Sequence, residues 1–326
     1  MNRGNQILAG LLALQAVLLI GMNLGGDERM AVRSQQLFGD LDVDEVTKIE
    51  IEGPPGEKQE TVTLARTGND WVIATTDDYP AKTEEVEELL DTIADLRSTT
   101  VVVTRDTYHQ KLKVADDDFN RRLTLTVDSE PVELFIGTSP SFKNTHVRIA
   151  GSDDVYLVPD LALGDVAERA WNWVDRAYVD IAEDEVWSVE LENEQGRLRL
   201  DRDPVSGLWA AVGVDAPLKA SAVNDLVRKA RSINLEAPVG KTVEPAHGLD
   251  APQAVVRLTV GTSTIAGAPP PKTETRTIRV GAKVDGQSRY YVKADDNPYV
   301  IEAAQYAVKP LIEKAKADLL EGEAED

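Results

Sequence analysis

The chain contains no cysteine, which excludes a disulfide framework and a lipid-modified N-terminal cysteine. Histidine is nearly as scarce: His109, His146 and His247 are the whole set. A hydrolase needs a nucleophile beside a base, or an acid pair held by its neighbours, and no such constellation stands out. Neither a G-x-x-x-x-G-K-[ST] loop nor a G-x-G-x-x-G turn is present, so no nucleotide site of the chain's own is expected. The acidic runs Asp116–Asp118, Asp153–Asp154 and Asp295–Asp296 lack the alternating, glycine-containing spacing of a calcium loop and read as solvated turns. No cofactor or metal is expected. Long apolar runs are also missing, with one exception at the N-terminus.

That exception is Ile7–Leu24. As a helix at 1.5 Å per residue it is about 27 Å long, against roughly 30 Å for the hydrocarbon core of a bilayer. Ile7, Leu11, Leu14 and Leu18 supply its apolar bulk, and Gln15 is its clearly polar interior residue. Arg3 precedes the run, so the positive-inside rule places the N-terminus in the cytoplasm and everything else outside it. A cleaved signal is the rival reading, but no A-x-A site occurs between Gly21 and Ala31. The expectation is a single-pass anchor in the cytoplasmic membrane carrying an extracytoplasmic domain.

Basic residues are outnumbered. The formal net charge is −22, and Arg3 is the one basic residue before Asp27. Such a surface repels phosphate backbones and anionic headgroups, which argues against nucleic acid as a partner. It leaves solubility, or selection of a basic protein partner, as the role of the charge.

What the chain does have is itself, twice. Trp71 is followed by Tyr79-Pro80-Ala81-Lys82 and then by Val86, Leu89, Ile93 and Leu96. Trp209 is followed by Ala216-Pro217-Leu218-Lys219 and then by Val223, Leu226, Ala230 and Ile233. Farther on, Leu134–Gly137 answers Ile278–Gly281, and Asp153–Val158 answers Asp295–Ile301. Order is kept throughout, the mark of a duplicated unit.

Within each copy the period is that of half-buried strands at Lys48–Glu52, Thr61–Arg66 and Trp71–Thr75, answered by Ser188–Glu192, Arg197–Asp201 and Leu208–Val212. It changes to helical spacing over Lys82–Arg97 and Ser221–Ser232, each with a proline just ahead. Four strands follow in the first copy, around 121–127, 132–137, 145–150 and 154–158, with a tight hairpin at Asp128–Pro131. The second copy has a longer, proline-rich insert, Ser263–Thr275, at that hairpin. Helical segments at Leu161–Val174 and Ala303–Leu320 are expected to close the copies, with a kink or break at Pro310. The fold class is therefore α+β: an anchor over 1–26, a linker over 27–45, repeats over 46–180 and 181–320, and an acidic tail over 321–326. Each repeat is a mainly antiparallel sheet packed with an amphipathic helix.

Trp71, Tyr79-Pro80-Ala81, Ile136-Gly137, Val155–Val158 and Trp171/Trp173, in this order, resemble the bacterial "domain of unknown function 4340" family over residues 46–310. The resemblance implies a membrane-anchored envelope protein without established enzymatic activity. It also implies association with ABC-2-type permease and ATPase subunits. Where the family shows Tyr-Gly-Leu-Asp, the second copy reads His247-Gly248-Leu249-Asp250 and the first reads Tyr108–Leu112. His109 and His247 are accordingly matched as turn residues, and His146 is expected on the surface. Trp171, Trp173 and Tyr178 lie between the copies, as core filler or as a contact patch. The leading expectation is a non-enzymatic accessory or scaffold subunit. Its alternative is a binding module for an envelope glycan or exported substrate, using Trp171, Trp173, Tyr178, His247, Gly248 and Asp250.

Overall fold

The computed structural model describes residues 35–39, 41–98, 100–263 and 267–321. The apolar run, with Ile7, Leu11, Leu14, Gln15 and Leu18, lies outside them, as do residues 322–326 of the tail. Among the described residues no helix is long and apolar enough to cross a membrane.

In the first copy the chain forms β1 (Gln35–Gln36), β2 (Val46–Glu52), β3 (Thr61–Thr67), β4 (Asp70–Ile73), β5 (Tyr79–Pro80) and helix α1 (Thr83–Ala94). Next come β6 (Arg97–Ser98), β7 (Val101–Val103), the short α2 (His109–Leu112), β8 (Val114–Ala115) and β9 (Asp118–Phe119). The long strands β10 (Arg121–Val127), β11 (Glu130–Ile136), β12 (Asn144–Ile149) and β13 (Val155–Pro159) complete the copy. The second copy holds β14 (Ala177–Asp180), β15 (Val186–Asn193), β16 (Gly196–Arg202), β17 (Trp209–Ala211), α3 (Ala220–Arg231) and β18 (Ser232–Gly240). It ends with β19 (Ala254–Val260), β20 (Glu274–Lys283), β21 (Arg289–Ala294), β22 (Val300–Ala304) and α4 (Gln305–Glu313).

Among the described residues two nine-stranded sheets result. Their orders are β5-β4-β3-β2-β10-β11-β12-β13-β7 and β14-β18-β22-β21-β20-β19-β15-β16-β17. Read from opposite ends, β4-β3-β2-β10-β11-β12-β13 and β17-β16-β15-β19-β20-β21-β22 are the same run of strands. The duplication seen in sequence is thus a duplication of topology, as expected of tandem α+β units. By compactness the described residues form two units, one with residues 35–39, 41–44, 89–98, 100–122 and 133–166 and a larger one with 45–88, 123–132 and 167–321 apart from 264–266.

Alternation builds the sheets. In β19, Ala254, Val256, Leu258 and Val260 are buried, while Val255, Arg257 and Thr259 between them are part-exposed. Helix α1 begins acidic with Glu84 and Glu85, as the helix dipole favours, and buries Val86, Leu89, Leu90 and Ile93. Helix α3 buries Val223, Leu226, Val227 and Ala230, packs against β15, β18, β19 and α4, and collects Arg228, Lys229 and Arg231 in its last turn. The β10–β11 hairpin turns on Asp128 and Ser129, both left-handed (φ 49° and 71°), as a two-residue loop matching the strand twist requires. The linker is not featureless, since β1 pairs with β6.

Three expectations change. Leu161–Val174 forms no closing helix, only a short 3-10 turn at Ala170–Asn172. Its carbonyls are taken by side chains: Thr145 Oγ1 donates to Leu161, Arg121 Nε to Val166, and Trp173 Nε1 to Ala167. Those bonds replace the i→i+4 ladder a helix needs. In the second copy the helix begins only at Gln305, because β22 takes Ala303 and Ala304. It passes through Pro310 and ends at Glu313, with a 3-10 turn at Lys316–Leu319. His146 is buried rather than superficial, because Thr145, His146, Val147 and Arg148 are buried on both faces of β12. Burial holds its imidazole pKa below the usual histidine value, a hydrogen bond to the Thr138 backbone opposing.

Candidate interaction edge of the second repeat

Gly137, after Ile136, and Gly281, after Val280, have the same task in the two copies. A side chain on Gly137 would stand 2.1 Å from the Leu112 carbonyl, and one on Gly281 would stand 2.1 Å from the His247 carbonyl. The next residues, Lys113 (φ 58°) and Gly248 (φ 62°), are both left-handed. Asn120 Nδ2 donates to the Gly137 carbonyl and Gln253 Nε2 to that of Gly281. His247 therefore corresponds to Leu112, and the pairing of His109 with His247 is corrected by three residues.

These contacts make the loop a structural closure present in both repeats. His247 is buried on Tyr291 (ring centroids 4.5 Å apart), and its Nδ1 accepts the Glu244 amide at 3.1 Å. His109 is also buried, bonded through Nε2 to the Asp153 carbonyl. Gly248 caps the turn, and Asp250 is exposed after it.

The residues between the copies separate in the same way. Trp173 and Tyr178 are buried. Tyr178 donates to the Tyr299 carbonyl at 2.7 Å and accepts the Ala294 amide at 2.9 Å, and burial raises its pKa. Burial, then the charge of Asp175, pushes the phenol of Tyr79 up to about 12. Trp171 stays half-exposed, flanked by the guanidinium groups of Arg169 (5.4 Å) and Arg176 (5.1 Å). The acidic runs are partly spent on ion pairs: Asp116 with Arg148, Asp118 with Lys113, Asp295 with Arg279 and Asp296 with Arg276.

The copies part company at one strand. In the first, β4 buries Trp71, Val72 and Ile73 and is covered by β5, through the pairs Val72↔Pro80 and Ile73↔Tyr79. Ala81 N–H closes onto the Trp71 carbonyl at 2.9 Å. In the second, the corresponding segment turns elsewhere: Leu218 bridges Leu320, Lys219 N–H donates to the Leu319 carbonyl, and Glu321 N–H to that of Pro217. Among the described residues strand β17 is left at the end of its sheet.

That edge is apolar. Leu208 is 70% exposed, Val212 54%, and Val205 in the adjoining turn 81%, with Ala210 also exposed. Inward of it, the outer face of the sheet is laced by charge pairs: Arg197 and Arg257 with Glu190 and Glu192, and Arg199 with Asp201. Beside the edge lies a cleft of about 270 Å³ lined by Trp187, Arg202, Pro204, Gly207 and the start of the insert. Trp187 is half-exposed, fixed by Nε1 to the Gly261 carbonyl, with Arg202 5.8 Å above its ring. The insert folds back so closely that a side chain on Gly261 would meet the Lys272 carbonyl at 2.5 Å.

A model of the family described as Domain of unknown function (DUF4340) matches residues 71–252 and, again, residues 209–321. The chain belongs to the DUF4340 family. No curated protein and no solved structure matches it. The start of the second DUF4340 match at Trp209 coincides with the first residue of β17. Sequence reasoning missed Val205, Leu208, Ala210, Val212, Trp187 and Arg202 as a group. The available signal was the absence of a charge at 208, 210 and 212, where an edge strand ordinarily carries one.

Proposed function

We propose that this DUF4340 protein is a non-enzymatic, membrane-anchored accessory subunit of an ABC-2-type transporter or related envelope complex. It works through protein contacts made by extracytoplasmic tandem domains. The observation that carries this reading is the apolar edge at β17, unpaired among the described residues, in a strand position that the first repeat covers. An uncharged edge strand is a site for strand addition by another polypeptide. The apolar run at Ile7–Leu24 with Arg3 ahead of it supports the anchor and its orientation. Mild detergent extraction of the full chain from its native membrane, followed by affinity capture, should recover ABC-2 permease and ATPase subunits. Recovery of the chain with no membrane protein attached would overturn the reading.

A further inference from the structure

We infer that the β17 edge pairs with the β17 edge of a second copy of this chain, antiparallel about a two-fold axis through Ala210. This rests on the reading of that edge as an assembly surface and names its occupant.

The register follows from β16. Val212 N–H donates to the Arg199 carbonyl and Asp203 N–H to that of Leu208, while Asp201 faces Ala210. In an antiparallel pair these residues exchange bonds in alternation, so Leu208, Ala210 and Val212 direct their backbone groups at β16. Trp209 and Ala211 direct theirs at the open side. The Ala211 carbonyl also closes a turn onto Val214 N–H, which leaves it a second lone pair.

Placing two such edges together about Ala210 pairs Trp209 with Ala211 of the second copy, twice, as hydrogen-bonded pairs. Large then meets small on the inner face. On the outer face Leu208 meets Val212 of the second copy, again twice, and Ala210 meets itself. The sequence Leu208-Trp-Ala-Ala-Val212 is self-complementary in size in this register, as an isologous contact requires. The row that begins at Arg199 and Val212 continues into Leu208 and Asp203 of the second copy, with Arg199 already paired to Asp201. An edge burying apolar side chains beside a face whose charges are already paired suits a partner bearing the same face. The net charge of −22 per chain opposes the contact at long range. Added salt, which shortens the screening length, therefore strengthens it.

Ala210 sits at a non-hydrogen-bonded position of the new pair, where Cα atoms lie about 4.5 Å apart. That spacing admits a disulfide, and the chain has no cysteine of its own to interfere. The full-length Ala210→Cys chain, mildly oxidised, should run as a covalent dimer. Leu208→Cys alone should not link, whereas a mixture of Leu208→Cys and Val212→Cys chains should. Sedimentation of the unmodified chain should show a dimer fraction that grows with salt. An Ala210→Cys chain that stays monomeric under oxidation overturns the proposal, whichever protein then proves to use the edge. So does a dimer that links through Leu208→Cys alone. A monomeric chain that still brings down permease and ATPase would sink this proposal and leave the proposed function standing. A cross-linked dimer with no membrane partner would do the reverse.

Discussion

Trp71 and Trp209 occupy the same strand of the same topology and live in different surroundings. Trp71 is fully buried, under β5 and against the start of α1, where Thr83 Oγ1 accepts its backbone amide. Trp209 is half-exposed on a strand that, among the described residues, has no neighbour on its outer side. The strands themselves do not account for the difference. In the first copy the chain after β4 passes through a 3-10 turn and two left-handed aspartates, Asp77 and Asp78, before returning as Tyr79-Pro80 to pair. In the second it turns at Gly213 and goes to meet Leu319–Glu321. Pro80 also blunts the first edge, since it has no N–H to offer an incoming strand. A duplicated fold can thus close one copy of an edge and leave the other open.

Replacing these tryptophans should give the largest contrast between the repeats. Trp71→Ala is expected to cost about 3–5 kcal/mol, the range for a fully buried large side chain. Trp209→Ala should cost roughly a third of that, because much of its surface is already wet. Urea titration of both variants checks the ratio, and equal losses would mean that the second edge is as sealed as the first.

Glycine tests the opposite point, that the closures are alike. Gly137→Ala and Gly281→Ala each set a methyl group 2.1 Å from a backbone carbonyl. Each should cost about 3 kcal/mol, at the upper end for overpacking. A loss confined to one variant would break the equivalence of Leu112 with His247.

A smaller effect, and a gain, is expected in the first repeat's hairpin. Ser129 holds φ at 71° with a side chain. Ser129→Gly should therefore raise stability by about 0.5–1 kcal/mol, and Ser263, within the insert that replaces this turn, offers no such gain.

The last contrast is a slope in pH. His146 and Tyr291 stand at equivalent places, one residue before Val147 and Val292, which pair with Ile136 and Val280 ahead of the two matched glycines. Burial lowers the folded-state pKa of His146, so above the unfolded value of 6.5 it is neutral in both states. As pH falls below that value the unfolded chain takes up a proton that the folded chain resists, and stability falls. A His146→Gln chain should lose this part of the acid slope, as judged by melting temperature between pH 7 and 5.

Much of this was legible in the residues. The duplication, the antiparallel strands and helices α1 and α3 are local patterns of period two or 3.6, repeated in order. Strand β10 falls at 121–127, as its alternation predicts. The unread parts were decided by distant groups. Leu161–Val174 has helical composition, yet Thr145 and Arg121 claim its carbonyls. Leu208–Val212 alternates as any half-buried strand does, and whether it is covered depends on where Pro217 goes. The candidate residues Trp173, Tyr178 and His247 are buried and hydrogen-bonded within the fold, which no local pattern reveals.

One contact has a bearing on time. The Asp77 carboxylate accepts the Lys241 amide at 2.7 Å and fills the space over Gly240 that any side chain would need. Tyr299 donates to the Asp78 carbonyl at 2.6 Å, across 221 residues of chain, with its ring 4.6 Å from Tyr79. Such long loops are slow to close, and during synthesis they wait for their far end to emerge. The turn that covers the first repeat's edge therefore gains its clasp only after most of the second repeat has been made. Until then the β4–β5 pairing stands without that clasp.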